Sequence, residues 1–269
     1  MGRTTRSASR PERVGLWGRK AGWRGTGRMA SSAMLLTSLG MTKRYGRRTV
    51  LDNAGFAVRE GEVLGLIGPN GAGKTTLFEC LAGLLPVDAG TVEFRGAPLP
   101  PELRKEALFY LPDAIRPWPE QPVEWVLSFF AEINGRPRSE AAALARALDL
   151  TGLVKARTGS LSKGEAKRLG LALGLVTPQP LLLLDEPFDG LDFRQTRDVM
   201  ALLRMVPAGG RTLFVSIHQL VDAARMCDRL VLLSRGRVVG AGTLAELRAL
   251  AGLADAPGAG LEEVFLALT

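Results

Sequence analysis

A loop of nine residues constrains this chain more than any other stretch of its sequence. It lies between an apolar run at residues 63–67 and a helical pattern that starts near Leu77. The spacing Gly-x4-Gly-Lys-Thr lets small residues take left-handed backbone angles, so successive N–H groups can surround phosphate oxygens at a helix N-terminus. This spacing predicts a phosphate-binding loop, made of Gly68, Pro69, Asn70, Gly71, Ala72, Gly73, Lys74, Thr75 and Thr76.

Two side chains of this loop carry the expected chemistry. We expect Lys74 to bridge the β- and γ-phosphates of a nucleotide and to act in catalysis. We expect the Thr75 hydroxyl to bind Mg²⁺. The predicted ligands are therefore a nucleoside triphosphate and Mg²⁺.

A second apolar run, at residues 181–184, ends on Asp185 and Glu186. This places carboxylates at the C-terminal end of a buried strand, where open α/β sheets bind their ligands. We expect Asp185 to hold Mg²⁺ through its water shell and Glu186 to polarise the attacking water. The alternative is that both acids lie exposed in a turn.

Alternating strand and helix patterns predict the fold class. Strands at residues 34–94 are separated by turn signals at Gly46 and at residues 53–55, 60–61 and 88–90. Strands that alternate with helices predict an α/β fold with a mostly parallel sheet covered on both faces. The remaining predicted elements are a helix from Leu77 to Gly83, strands at 107–111, 180–185, 212–217 and 229–233, a loop at 115–119, a helical region at 122–176 broken at 134–137 and near Gly159, and helices at 192–205 and 221–227.

The net charge of +8 is unevenly distributed along the chain. Residues 1–30 contain eight basic residues against one acid, so the remainder is almost neutral and gives no reason to expect nucleic-acid binding. We expect residues 1–33 to be a disordered basic tail or an over-long start, with Met34 as a natural first residue. No run of 18 apolar residues occurs, so another chain must supply any membrane part. Cys80 and Cys227 are expected to be reduced thiols in or near the core of a cytosolic protein.

Two further motifs complete the pattern. Ser162 and Gly164 belong to the sequence Leu-Ser-Lys-Gly-Glu, which precedes an amphipathic run and should form an anion-binding helix N-terminus. His218 is the single histidine of the chain, and it follows the strand predicted at 212–217. The order of these motifs over residues 34–240 resembles the ATP-binding cassette (ABC) ATPases. The resemblance implies a P-loop NTPase core, an antiparallel β subdomain and an α-helical signature subdomain at about 114–178, all within one ATPase domain at 34–269.

The same resemblance implies roles for individual residues. His218 would contact the γ-phosphate, although a lone histidine is often structural. Tyr45 would stack on adenine, although it would also suit an edge strand. Ser162, Gly164 and Glu165 would face the nucleotide of a second ATPase subunit, which is expected to be a copy of this chain.

One residue departs from the family pattern. Asp113 stands where the family commonly has a glutamine that touches Mg²⁺ and the attacking water and links the site to a membrane partner. We expect Asp113 to contact the ion, with an effect on turnover. Gln121 is eight residues further on, too far to substitute without a loop rearrangement.

The leading functional hypothesis is an ATP-hydrolysing subunit that powers a membrane transporter with a separate permease chain. The Leu-Ser-Lys-Gly sequence and the C-terminal segment 261–266 resemble the efflux-type subfamily. The subunit would then lie at the cytoplasmic face of the cell membrane, with Trp118, Trp125 and Phe129 near the permease. The alternatives are an ABC ATPase that acts on nucleic acid or ribosomes, and a nucleotide-binding regulatory subunit with low turnover.

Overall fold

Two β-sheets form the frame of the protein. The structure is a computed structural model that describes residues 33–256 and 258–269, so the basic tail predicted at the N-terminus lies almost entirely outside the described residues. In chain order the strands are β1 (Met34–Tyr45), β2 (Arg48–Arg59), β3 (Val63–Ile67), β4 (Ala89–Phe94), β5 (Ala97–Pro98), β6 (Leu108–Leu111), β7 (Leu181–Leu184), β8 (Thr212–Ser216), β9 (Arg229–Ser234) and β10 (Arg237–Gly242).

Helices lie between some of these strands and after β10. Gly83, with φ of 77°, ends the first helix as predicted, because glycine tolerates the left-handed conformation of a C-cap. The predicted long helical region is divided into three helices, with a break at residues 134–137 as expected. In chain order the helices are α1 (Lys74–Ala82), α2 (Arg104–Ala107), α3 (Val123–Ile133), α4 (Arg138–Ala147), α5 (Lys163–Val176), α6 (Phe193–Leu203), α7 (Leu220–Met226), α8 (Leu244–Leu250) and α9 (Leu261–Leu268).

The larger sheet has the strand order β10-β9-β3-β8-β7-β6. All its neighbouring strands are parallel except β10, which pairs antiparallel with β9. Successive residues of β7 point to opposite faces: Leu181 and Leu183 join one hydrophobic cluster, and Leu182 and Leu184 join the other. The predicted α/β fold with a mostly parallel sheet is therefore confirmed, and the carboxyl ends of β3, β6, β7 and β8 meet at one edge.

The smaller sheet is antiparallel, with the order β2-β1-β4-β5, and α1 shares its hydrophobic cluster. The turn predicted at residues 53–55 is wrong, because these residues lie within β2. Asn53 has φ of 53° and its N–H donates to the Thr42 hydroxyl, while the register between β1 and β2 shifts nearby. The turn signal thus marks an irregularity within a strand pair.

The α5 helix is fixed to the larger sheet at its C-terminal end. Arg211, just before β8, donates to the carbonyl oxygens of Leu175 at 2.8 Å and Gln179 at 2.9 Å, and burial lowers the pKa of its guanidinium to about 10. A guanidinium that bonds the last carbonyls of a helix also interacts favourably with the helix dipole. Arg211 therefore fixes the position of α5 against the core.

Both cysteines carry free thiols. Cys80 is fully buried beside the smaller sheet, and Cys227 packs against the cluster on the other face. Burial raises the pKa of the Cys80 thiol to about 11 and that of Cys227 to about 12. The prediction of core and near-core thiols is confirmed.

Candidate active site

Residues 68–76, called the loop here, run from the end of β3 into the first turn of α1, as predicted for a phosphate-binding loop at a helix N-terminus. Gly71 and Gly73 have φ of 79° and 106°, in the region that favours glycine. A Cβ at Gly68 would lie 2.4 Å from the carbonyl oxygen of Leu233, so a side chain does not fit there. Among the described residues no side chain caps the N-terminus of α1, which leaves this helix end open to a phosphate group.

Lys74 turns its side chain back over the loop. Its Nζ donates to the carbonyl oxygens of Gly68 at 2.8 Å and Pro69 at 3.4 Å. Burial lowers the pKa of this ammonium, while Glu186 and Asp185 oppose that shift. A bound polyphosphate would add further stabilising negative charge beside Lys74.

Asp185 is the most heavily hydrogen-bonded carboxylate of the site, and it is only 3% exposed. The Thr75 hydroxyl donates to its Oδ2 at 2.9 Å, and the Ser216 hydroxyl donates to its Oδ1 at 2.5 Å. The Tyr110 hydroxyl lies 3.4 Å from Oδ2, and burial together with Asp185 raises the pKa of that phenol. The structure thus places the predicted pair Thr75 and Asp185 in contact.

Ser216 and Tyr110 are partners of Asp185 that the sequence analysis did not assign. They belong to β8 and β6, the two neighbours of β7. The available signal was their position near the ends of strands in a parallel sheet, where ligand-binding side chains gather. Their hydroxyls orient the Asp185 carboxylate towards Thr75.

Glu186 and His218 form the second contact of the site. His218 Nε2 lies 2.5 Å from Glu186 Oε1, and the Glu186 N–H donates to the Ser216 hydroxyl at 2.9 Å. Glu186 has φ of 49°, a strained conformation for a residue with a side chain. Both side chains line a cavity of about 220 Å³ that also contains Asp189 and Gly190.

Asp113 has a partner that the sequence analysis did not identify. Its Oδ1 accepts a bond from Lys167 Nζ at 2.5 Å, and its carboxylate oxygen lies within 4.8 Å of those of Glu186 and Asp189. Neither Thr75 nor Asp185 bonds to Asp113 among the described contacts. The contact of Asp113 with a metal ion stays a prediction.

The predicted signature residues begin α5. The Ser162 hydroxyl accepts from the Glu165 N–H at 3.3 Å, and the Ser162 N–H donates to the Glu165 carboxylate at 2.8 Å. The hydrogen bond that the Ser162 N–H donates lowers the pKa of the Glu165 carboxylate. A Cβ at Gly164 would lie 2.8 Å from the Gly190 carbonyl oxygen, so the start of α5 touches the segment after Glu186.

The signature residues line a separate cavity of about 390 Å³. Within the described part of the chain, no residue of the loop at 68–76 lines this cavity. Tyr45, at the end of β1, is half exposed, and Lys43 Nζ lies 5.3 Å from the centre of its ring. The contacts of Tyr45 and the signature with nucleotide stay predictions.

Comparisons with known proteins place these features in a family. The family model described as "ABC transporter" matches residues 51–189. The Nod factor export ATP-binding protein I of Burkholderia orbicola is 37% identical over 206 residues, which cover 74% of this chain and 68% of that protein. An uncharacterised ABC transporter ATP-binding protein of Methanocaldococcus jannaschii is 32% identical over 214 residues, which cover 77% of this chain and 77% of that protein.

Solved structures agree with this assignment. The ATP-binding subunit of an ABC transporter is 30% identical, with a TM-score of 0.79 over 87% of this chain and 99% of that one. The cbiO1 protein of Clostridium perfringens, part of an ABC transporter complex, is 26% identical, with a TM-score of 0.70 over 81% of this chain and 91% of that one. These relatives do not favour the alternative of a nucleic-acid or ribosome ATPase. The chain belongs to the ATP-binding subunits of ABC transporters, which hydrolyse ATP to drive transport across membranes.

Proposed function

We propose that this chain hydrolyses ATP at the carboxyl ends of β3 and β7, with the phosphates held by the loop at residues 68–76. The observation that carries this proposal is the bond between Thr75 and Asp185, next to the bond between Glu186 and His218. A metal-binding pair and a candidate base thus lie side by side. Gly68, Pro69, Asn70, Gly71, Ala72, Gly73, Lys74, Thr75 and Thr76 would surround the phosphates, and Tyr45 would stack on the adenine.

The donor atoms at Thr75 and Asp185 fit Mg²⁺, because a hydroxyl and a carboxylate are hard oxygen ligands. When bound, the ion would withdraw charge from the β- and γ-phosphate oxygens. Lys74 supplies a positive charge to the same oxygens, and the N-terminus of α1 supplies backbone N–H groups. Ser216 keeps the Asp185 carboxylate in the orientation that Thr75 requires.

Glu186 is the candidate general base of the reaction. Its carboxylate lines the cavity beside Asp185, where it can accept a proton from the attacking water. His218 holds this carboxylate through Nε2, and its proposed role is to contact the γ-phosphate. Asp113, near Glu186, would complete the polar surroundings of the ion and the water.

The complete site is proposed to need a second copy of this chain. Ser162, Gly164 and Glu165 lie at the N-terminus of α5, where Ser162 is exposed and Gly164 is buried, and they line a cavity of their own. A helix N-terminus favours anions, so this end of α5 suits the γ-phosphate of a nucleotide held by the partner copy. ATP would then lie between two identical subunits.

The proposed partner beyond this dimer is an integral-membrane permease. In the part of the chain that the structure describes, no helix is long and apolar enough to cross a bilayer. The names of the similar Nod factor export proteins support an efflux-type transporter, with this chain bound peripherally at the cytoplasmic face of the membrane.

An aromatic patch, made of the exposed Trp118 and Trp125 and the half-buried Phe129, is the proposed contact with the permease. The rings of Trp125 and Phe129 stack with centroids 5.0 Å apart, and Trp118 stands nearly perpendicular to both. Trp118 and Trp125 are more than 40% exposed. Exposed, preordered aromatic side chains commonly supply much of the binding energy of an interface.

Asp185→Asn tests the proposed metal site. We expect this variant to lose most Mg²⁺-dependent ATPase activity, because the asparagine keeps the shape but removes the charge that binds the ion. The matched control is Asp198→Asn on α6, an exposed acid whose side chain pairs with Arg197. An Asp185→Asn enzyme with unchanged activity and Mg²⁺ dependence would contradict the proposed site.

A further inference from the structure

Lys167 is a buried lysine that bonds one residue twice. Its Nζ donates to the backbone carbonyl oxygen of Asp113 at 2.7 Å and to the Asp113 carboxylate at 2.5 Å. The Lys167 side chain is 3% exposed, whereas that of Asp113 is 37% exposed. Because a buried ammonium needs a compensating charge, this pair fixes both the backbone and the side chain of Asp113.

Lys167 can hold Asp113 in place because its own helix is anchored. Arg211 bonds the C-terminal end of α5, and Lys163 Nζ lies 2.5 Å from the Asp189 carboxylate at the N-terminal end. Arg168, the next residue of α5, donates to the carbonyl oxygens of Leu148 and Asp149. Lys167 therefore lies on an anchored helix, and it restrains the loop after β6, at residues 112–119.

The restrained residue lies beside the proposed base. Carboxylate oxygens of Asp113, Glu186 and Asp189 all lie within 4.8 Å of one another. Each acid has its own cationic or imidazole partner: Lys167 for Asp113, His218 for Glu186 and Lys163 for Asp189. Without Lys167, the negative charge of Asp113 would be uncompensated next to Glu186, and the loop would move towards solvent.

The far end of the same loop is also fixed. The Thr158 hydroxyl lies 2.9 Å from the carbonyl oxygen of Pro117 and 2.8 Å from that of Trp118. Residues 112–119 are thus held by Lys167 at the catalytic end and by Thr158 at the aromatic patch. A loop with two fixed ends keeps a defined distance between Asp113 and Trp118.

We propose that Lys167 is a positioning residue for ATP hydrolysis, which acts by fixing Asp113 beside Glu186. This inference rests on the proposed function, in which Glu186 is the base. For this role we predict a loss in kcat with little change in ATP affinity, because Lys167 does not contact the loop at residues 68–76 among the described contacts.

The test compares Lys167→Met, Asp113→Asn and the double variant in steady-state ATP hydrolysis by the full chain. We expect Lys167→Met to lower kcat about 10- to 100-fold, because a small displacement of groups around the reacting atoms costs about this much in rate. ATP affinity, measured without turnover, should stay within about twofold. Lys167→Arg should retain most of the activity, because arginine keeps a donor and a charge. Arg138→Gln, which removes an exposed ion pair between α4 and Glu132 of α3, should match the wild type.

The double variant separates a positioning role from a structural one. If Lys167 acts through Asp113, the double variant should lose no more kcat than the more damaging single variant, since both changes break one interaction. Losses that multiply, or a loss in kcat matched by a fall in melting temperature in every variant, would overturn the inference. Glu186→Gln is measured in parallel: an active variant contradicts the proposed function, whereas an inactive one beside a fully active Lys167→Met overturns only the role of Lys167.

Discussion

At the residue scale, the site depends on a balance of charge among acids at the ends of β6 and β7. Asp185 is compensated by hydroxyl donors, whereas Asp113 and Asp189 are compensated by lysines of α5. Such close carboxylates are tolerated because each has a separate partner. Any change to one of these partners should therefore alter the response of the enzyme to Mg²⁺.

Asp113→Asn provides a direct test of this balance. The substitution leaves the Lys167 ammonium buried without its counter-charge and makes the surroundings of Glu186 more positive. We predict that the Mg²⁺ concentration for half-maximal ATPase activity rises severalfold, because cations are repelled from a more positive site. Removing both charges, in Asp113→Asn with Lys167→Met, should return the Mg²⁺ dependence towards the wild-type value. A Mg²⁺ titration that is identical in all three proteins would refute this electrostatic coupling.

The residues that sequence could predict are those fixed by local pattern. Thr75 and Asp185 follow from the spacing around two apolar runs, and the structure joins them directly. Lys167, Ser216 and Tyr110 could not be assigned, because their roles depend on which strands and helices lie next to each other in space. For Asp113, the sequence located the loop but not the lysine that holds it.

At the scale of elements, α5 connects the catalytic edge, which is the edge of the larger sheet where the carboxyl ends of β3, β6, β7 and β8 meet, to the interior of the protein. Its first two turns carry the signature residues and two lysines, Lys163 and Lys167, that pair with Asp189 and Asp113, and its last turn is held by Arg211. The amphipathic run that follows Glu165 made this helix predictable. The elements β5, α2, β10, α8 and α9 were not predicted, mostly because short segments carry weak periodicity.

Arg211→Gln tests how much the last turn of α5 contributes to stability. The guanidinium bonds carbonyl oxygens that would otherwise be buried without a donor, and it is only 7% exposed. We predict a decrease in the free energy of unfolding of at least about 2 kcal/mol, measured by urea denaturation. Arg138→Gln, which breaks an exposed ion pair, should cost less than about 1 kcal/mol. Equal stability of the two variants would show that Arg211 does not anchor the helix.

At the scale of the whole molecule, the catalytic edge and the aromatic patch are two regions joined by the loop at residues 112–119. Its two tryptophans are exposed, and its rings pack on one another. In the proposed assembly, a membrane partner would contact the patch while ATP occupies the site at the other end of the loop. Binding of the permease and binding of ATP should therefore be separable by mutation.

Trp125→Ala tests that separation. Removal of the ring takes away exposed aromatic surface without touching the phosphate loop, so we predict reduced co-purification with the permease at unchanged ATP affinity. Leu250→Ala on α8 is a control with an exposed apolar side chain outside the patch. A parallel loss of ATP affinity and permease binding would instead indicate that Trp125 supports the fold.

The central claim is that Glu186 acts as the general base in the hydrolysis of ATP held between two copies of this chain. The variant Glu186→Gln tests this claim most directly. This variant should bind ATP without hydrolysing it, so the closed pair should accumulate. Light scattering coupled to gel filtration should show a dimer with Mg²⁺ and ATP and a monomer without nucleotide, while the double variant with Lys74→Ala should stay monomeric throughout. A Glu186→Gln protein that remains monomeric in ATP at high concentration, or that hydrolyses ATP at the wild-type rate, would contradict the account.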